Sequence, residues 1–416
     1  MRVLWVKAGR LLPVDTGGKI RSFNLLRKLV ERYGGVTLSY YDGARDPDYE
    51  RALADALPGA IAIATGAPTG SQVAQAVHYL SRTLHPAPYA VTKFTSPVVR
   101  RRVAQLLDSG QFDVAVCDFL SASLNFPATT PIPVVLFQHN VESALWARQA
   151  AHERNPVKRL AFSLEAMKMR RYERAAVRRF DGVIAVSEHD RELMSVMTSP
   201  ERITVVPTGV DTAQYRRREG SGSATDENLV LFLGSMDWEA NIDGVEYFCR
   251  EVWPRVRETV PAALFRIVGR NPHPRVSRLA DDGIEVTGTV PSVIEHLHAA
   301  AVVVVPLRVG GGTRLKIFEA MAAGRAVVST TVGAEGLDVT DGADIILADD
   351  PERFAAAVVG LLRDRTRRHE FEVRAETLAK RYDWSAIADS FINALDAARA
   401  SRRLVDVEIR AAGAMA

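Results

Sequence analysis

The residues best suited to chemistry gather between Ala301 and Leu337, AVVVVPLRVGGGTRLKIFEAMAAGRAVVSTTVGAEGL. A glycine triplet, Gly310, Gly311 and Gly312, is followed closely by Thr313, Arg314, Lys316 and Glu319. Thr313 can cap a helix that Gly324 closes. A glycine loop opening a helix presents unpaired backbone N–H groups and the positive end of the helix dipole, which together favour an anion. Lys316 and Glu319 lie three apart and share a face near that loop. A cation beside a phosphate-sized nest, with a carboxylate one turn deeper, suits a nucleotide diphosphate whose ribose hydroxyls meet the carboxylate. The competing reading is a surface ion pair behind an ordinary turn.

Other candidates are more dispersed. Gly17 and Gly18 precede an expected first helix, where a bare backbone lets a phosphate or acceptor approach; an ordinary tight turn is the alternative. This is no Walker loop, because Pro13 stands where the leading glycine belongs, and no GxGxxG occurs. His139 follows a buried strand and precedes a helix, a usual address for cleft residues; a cap on that helix is the alternative. Glu335 sits just past the strand after the glycine-loop helix, to meet a ligand or cap a turn. Asp349 and Asp350 form an acidic pair, but no His or carboxylate cluster accompanies them, so no metal site is expected.

These residues need a frame of strands and helices. Val302–Val305 reads as a strand buried on both faces, and Val327–Val328 as another, with Leu315, Phe318 and Ala322 as the buried stripe of the helix between. Further strands are expected at 2–6, 36–41, 113–117, 133–137, 183–186, 203–207, 229–234, 264–269, 284–288 and 345–348. Helices are expected over 21–33, 48–56, 71–84, 97–108, 142–178, 242–259, 291–299, 351–363, 366–381 and 385–402. The alternation argues for α/β architecture with parallel sheets covered on both faces, restarting near Pro200, with 216–228 as a polar connecting stretch.

The 416 residues are enough for two such domains. A hydrophobic content of 47%, charged content of 25% and net charge of +3 describe an ordinary globular chain with no global pull toward nucleic acid. Two distant cysteines, Cys117 and Cys249, fit a reducing compartment. No stretch approaches the roughly 18 apolar residues of a membrane span, so the expected location is cytoplasmic. Basic runs at Arg100–Arg102 and Lys168–Arg179 would suit peripheral contact with the inner face of the cell membrane, although Glu165 and Glu173 interrupt the second cluster.

The stretch GGGTRLKIFEAMAAGRAVVSTTVGAEGL resembles the donor site of family 4 glycosyltransferases, retaining enzymes of the two-domain GT-B fold. PVDTGGKIR, FQHNVES, VVPTGVD, LFLGSMDWEANIDGVEYF, RIVGRNP and VTGTV resemble the family's other segments in the expected order, most like bacterial sugar transferases of exopolysaccharide-type gene clusters. The resemblance implies two doubly wound domains facing a cleft. Residues 1–200 would bind the acceptor, 201–384 the nucleotide-sugar donor, and a helix over 385–405 would cross back to the first domain. It implies metal-independent transfer of a sugar to a carbohydrate, lipid-linked or small-molecule acceptor, with the donor as substrate and no cofactor. Glu319 matches the second glutamate of the family's pair, Arg314 and Lys316 the cations on the departing diphosphate, and His139 a histidine near the transferred sugar. Gly311 stands where the first glutamate belongs, and Ser235 and Asn241 at about the positions of a basic pair. A nucleotide-sugar 2-epimerase of the same fold and a non-catalytic nucleotide-sugar binder are the alternatives.

Overall fold

The computed structural model describes residues 1–66, 85–153, 155–216, 225–309 and 315–414. The helix expected over 71–84, most of the polar stretch 216–228, and Gly310–Arg314 therefore lie outside the described residues. The chain divides into two compact units, Met1–Pro207 with Ile387–Ala416, and Thr208–Ala386.

The first unit is built on seven parallel strands: β1 (Val3–Ala8), β2 (Gly35–Tyr41), β3 (Ile61–Ala64), β4 (Val114–Asp118), β5 (Val134–Phe137), β6 (Gly182–Ala185) and β7 (Ile203–Val205). Their order is β3-β2-β1-β4-β5-β6-β7. Successive strands run outward from β1 in one direction and from β4 in the other, so the β1/β4 junction is the topological switch point. Its described helices of eight residues or more before residue 207 are α1 (Gly17–Tyr33), α2 (Pro47–Ala56), α3 (Pro97–Leu107), α4 (Glu142–His152), α5 (Pro156–Arg179) and α6 (Glu188–Ser195). The single helix expected over 142–178 is two. Asn155 caps α5 through Oδ1, which accepts from Val157 N at 3.0 Å and Lys158 N at 3.2 Å, and Pro156 opens its first turn. An Asn-Pro start both satisfies orphan donors and bars helix continuation from upstream.

The second unit holds β8 (Leu229–Leu233), β9 (Leu264–Val268), β10 (Ile284–Gly288), β11 (Val302–Val305), β12 (Ala326–Ser329) and β13 (Ile346–Leu347), in the order β10-β9-β8-β11-β12-β13. Its switch point is β8/β11. All four valines of β11 are fully buried, contributing about 2 kcal/mol each. Helices α7 (Glu239–Tyr247), α8 (Leu315–Ala322), α9 (Pro351–Arg363) and α10 (Arg365–Arg381) cover it, and α7 runs through a π-turn at Phe248–Val252 into a short helix ending at Thr259. Helix α11 (Trp384–Ala414) starts in this unit and continues in the first. There Phe391 stacks on Trp5 at 5.4 Å and Arg402 bonds Asp181 at 3.0 Å.

Two stretches beside β3 and β4 belong partly to the framework. Within 62–72, residues up to Ala64 belong to β3, paired with β2. Within 118–130, Leu120–Asn125 is a 3-10 turn whose Leu120, Ala122, Ser123 and Asn125 are buried. Asn125 accepts from Ser96 N at 3.0 Å and donates to Tyr40 Oη at 2.8 Å and Phe94 O at 2.9 Å, a satisfied core amide.

Candidate functional site

Each sheet brings a lysine to its switch point, the usual ligand address of an open α/β sheet. In the first unit Lys7, near the end of β1, stands in register with Asp118 at the end of β4. Lys7 Nζ donates to Asp118 Oδ2 at 3.1 Å and to Ser22 Oγ at 3.2 Å, and Trp5 Nε1 donates to the same carboxylate oxygen at 2.9 Å. The other oxygen, Oδ1, lies 2.7 Å from His139 Nε2. Asp118 is wholly buried. Burial alone would raise its carboxyl, but Lys7 and His139 overcome that and hold it well below the usual carboxylate range. Burial lowers His139 to about 4 against the pull of Asp118, so near pH 7 the ring is neutral, with its proton on Nε2 facing the carboxylate. Nδ1 then becomes an acceptor directed at α1.

Gly17 and Gly18 lie inside the first turn of α1, not ahead of it. A Cβ on Gly18 would come within 3.3 Å of His139 Nδ1, so the missing side chain admits the imidazole. His139 does not cap the following helix. Glu173, reaching from α5, does so: its Oε1 accepts from Glu142 N at 2.9 Å and Gln138 Nε2 at 3.0 Å, and its Oε2 from Ser143 N at 3.0 Å. Three donors explain why a fully buried carboxylate is tolerated beside the 138–143 segment. Burial and the Glu173 carboxylate push Glu142 up to about 7.

His139 and Glu142 therefore titrate in opposite directions within one segment. His139 binds its proton more weakly folded than unfolded, so its stabilising contribution is complete above pH 6.5 and is lost as pH falls toward 4. Glu142 binds its proton more tightly folded, so its contribution is complete below 4.5 and is lost as pH rises through 7. Each is worth about 3 kcal/mol. Relative to wild type, His139→Gln should gain stability as pH falls from 7 to 4.5, and Glu142→Gln as pH rises from 5 to 8. Urea midpoints across this range measure both slopes, and parallel profiles would refute the assignment.

In the second unit, Lys316 lies in the first turn of α8. Its Nζ donates to Asn241 Oδ1 at 2.8 Å and rests 4.4 Å from the Phe232 ring centroid. Asn241 Nδ2 donates in turn to Ser235 O at 2.8 Å, locking the turn that follows β8. At Gly234 a Cβ would fall 2.8 Å from Lys316 Nζ and 2.7 Å from Asn241 Nδ2. Asn241 is an amide, so it orients the ammonium without cancelling its charge. Arg270, beyond β9, donates to Ser235 Oγ at 3.0 Å and brings a second cation to the same turn.

Glu319, one turn further along α8, accepts from Tyr215 Oη at 2.9 Å. Burial raises its carboxyl, opposed by the Tyr215 bond and by Lys316. The buried face of α8 is Ile317, Phe318, Ala320, Met321 and Ala322; Leu315, expected there, is only half-buried. Glu335 is exposed on the turn after β12, where its N–H donates to Val332 O at 3.4 Å. Gly311, Gly312, Thr313 and Arg314 lie outside the described residues. Asp349 accepts from Thr331 N at 2.7 Å and Oγ1 at 2.8 Å, and Asp350 caps α9 by accepting from Arg353 N at 2.8 Å. Both are spoken for structurally, and among the described residues no three His, Cys, Asp or Glu side chains form a metal cluster.

Lys7, Asp118, Glu142, Glu173 and Arg270 were missed from sequence. Lys7 and Asp118 sit inside otherwise apolar strand ends, KAG and VCD, and that position was the available signal.

Two parallel sheets in two units, with a long C-terminal helix passing from the second to the first, define the GT-B fold. Anabaena HepE, solved in complex with UDP, aligns with a TM-score of 0.64 at 14% identity, covering 95% of this chain and all of that one. A model described as Glycosyltransferase Family 4 matches residues 17–214, and one described as Glycosyl transferases group 1 matches 227–364. The chain belongs to the family 4 glycosyltransferases. Phosphatidyl-myo-inositol mannosyltransferase of Mycolicibacterium smegmatis is 26% identical over 300 residues, 70% of this chain and 73% of that protein. D-inositol 3-phosphate glycosyltransferase 2 of Catenulispora acidiphila is 27% identical over 370 residues, 82% of each.

Proposed function

We propose that this glycosyltransferase moves one sugar from a nucleotide diphosphate sugar to an acceptor hydroxyl with retention of anomeric configuration and without a metal ion, in polysaccharide or glycoconjugate assembly. The observation that carries the reading is Lys316, held by Asn241 in the first turn of α8 at the β8/β11 switch point. Departure of the nucleotide leaves added negative charge on its diphosphate, and a fixed ammonium at a helix N-terminus stabilises that charge as it forms. Arg314 and the glycines Gly311 and Gly312 would complete the cradle, with Thr313 capping the helix. Glu319, held by Tyr215, would take the ribose hydroxyls, and Glu335 the sugar.

In the first unit, Gly17 and Gly18 open the turn that receives His139, whose neutral ring offers Nδ1 as an acceptor to a substrate hydroxyl. Excluding water during the step suppresses donor hydrolysis. Relatives named for phosphatidyl-myo-inositol and for D-inositol 3-phosphate support a polar, hydroxyl-bearing acceptor, and the HepE–UDP structure supports a nucleoside diphosphate donor.

A thermal-shift panel of UDP, GDP, dTDP and their sugars tests the donor half. At saturating ligand, about 2.7 kcal/mol of protection is expected at a hundredfold excess over Kd, reduced in Glu319→Ala. If no nucleotide raises the midpoint, the donor assignment is wrong. An NMR time course then separates activities: epimer formed from donor alone marks an epimerase, whereas acceptor-dependent product with the donor's anomeric configuration marks a retaining transferase.

A further inference from the structure

Helix α5 has an unusual cross-section. Its inward face carries Glu165, Met169, Glu173, Ala176 and Val177. Opposite it, at intervals of three, four and three residues, stand Val157, Leu160, Leu164 and Met167, exposed at 76%, 63%, 47% and 62%. That spacing draws one stripe along three turns of helix. Such a contiguous apolar stripe on a surface helix calls for a partner.

The charges identify it. Helix α5 has eight basic residues and two acidic ones. Both acids are turned inward: Glu165 accepts from Tyr89 N at 2.9 Å, and Glu173 caps α4. Arg174, Arg178 and Arg179 are committed to the carbonyls of Val196, Met197 and Ser123, and Lys168 pairs with Glu165 at 3.6 Å. Arg159, Arg170 and Arg171 are exposed on or beside the stripe, whereas Lys158 stands two turns before Glu165 on the inward side. The outward surface of α5 is thus apolar and cationic, with no carboxylate on it. Four side chains in a narrow line fall short of the roughly 800 Å² per partner that a stable protein interface buries. A lipid surface asks for less: shallow insertion of an apolar face, and cations over anionic headgroups.

We propose that the outward face of α5 docks on an anionic lipid bilayer. Val157, Leu160, Leu164 and Met167 enter the boundary between headgroups and acyl chains, while Arg159, Arg170 and Arg171 lie over lipid phosphates. The docking segment differs from the basic runs visible in sequence, because its apolar half precedes Lys168 and Arg174–Arg179 are bonded to the protein. The value of docking, bringing the enzyme to a membrane-borne acceptor, rests on the transfer reading above; the docking itself needs neither donor nor acceptor.

Cosedimentation with vesicles of phosphatidylcholine, alone or with about a third phosphatidylglycerol, tests it directly. Binding is expected on the anionic vesicles, weakening as salt rises. Leu160→Asn/Leu164→Asn/Met167→Gln and, separately, Arg170→Glu/Arg171→Glu should each lower the partition coefficient roughly tenfold or more. Unchanged far-UV circular dichroism and melting would show that the variants remain folded. Absence of wild-type binding to anionic vesicles, or binding by both variants equal to that of wild type, overturns the proposal. So does a wild-type dimer on size exclusion that the apolar variant dissolves, since the partner would then be a second copy. Loss of the transfer reading would appear elsewhere, as absent nucleotide protection in the thermal-shift panel.

Discussion

Lys316→Ala is expected to lower kcat/KM by roughly 10²–10³-fold, the usual consequence of removing one fixed group that stabilises developing charge. The same change should abolish most thermal protection by nucleoside diphosphates. The unliganded midpoint should move far less than the activity, because the hydrogen bond to Asn241 is worth about 1 kcal/mol. Gly234→Ala approaches the same point without removing charge. Its Cβ would intrude to 2.8 Å from Lys316 Nζ and 2.7 Å from the Asn241 amide, so it should displace the ammonium and reproduce part of the loss. Steady-state rates and melting with and without UDP or GDP read both variants. Lys316→Ala retaining activity within about threefold of wild type would remove Lys316 from the mechanism.

The largest expected effect on stability comes from Asp118→Ala. The substitution strands the Lys7 ammonium inside the first unit and leaves Trp5 Nε1 and His139 Nε2 without their acceptor. Breaking a buried pair from one side costs about 3–5 kcal/mol. For a unit of this size that is a fall of about 10 °C in its melting transition. Calorimetry measures the loss. Replacing both partners, Lys7→Met with Asp118→Leu, should recover a substantial part of the stability, because two matched apolar groups avoid the uncompensated charge. A double variant no better than Asp118→Ala would show that the hydrogen bonds, not the charge pair, dominate.

Strand and helix periods were legible wherever the apolar pattern was strong, as in the valine run of β11. β3 escaped because IAIA is short and bounded by residues that read as loop. Residues 142–178 read as one helix because helix-forming residues crowd both sides of Glu153–Asn155, while Asn155 and Pro156 carry a local instruction to stop and restart. The candidate site divides in the same way. Gly18, His139, Lys316 and Glu319 could be picked out because they stand at loops and helix starts. Lys7, Asp118 and Glu173 could not, because each is one polar residue within an apolar or basic run, and its role depends on a partner 111 or some 30 residues away. Helical spacing from sequence placed Glu173 among basic residues on α5, but only packing shows that it faces inward to hold the 138–143 segment.

Helix α11 carries a consequence for how the chain is made. Phe391 covers Trp5, and Arg402 reaches Asp181, yet the whole of the second unit is synthesised between those partners. While the ribosome is still translating residues 208–386, the first unit must wait with its Trp5 face open. The second unit has its contiguous sequence and can finish first. The earliest-made part of this protein is therefore the last to be completed, and a ribosome stalled before residue 387 would release a nascent chain whose first unit exposes the apolar surface on which chaperones act.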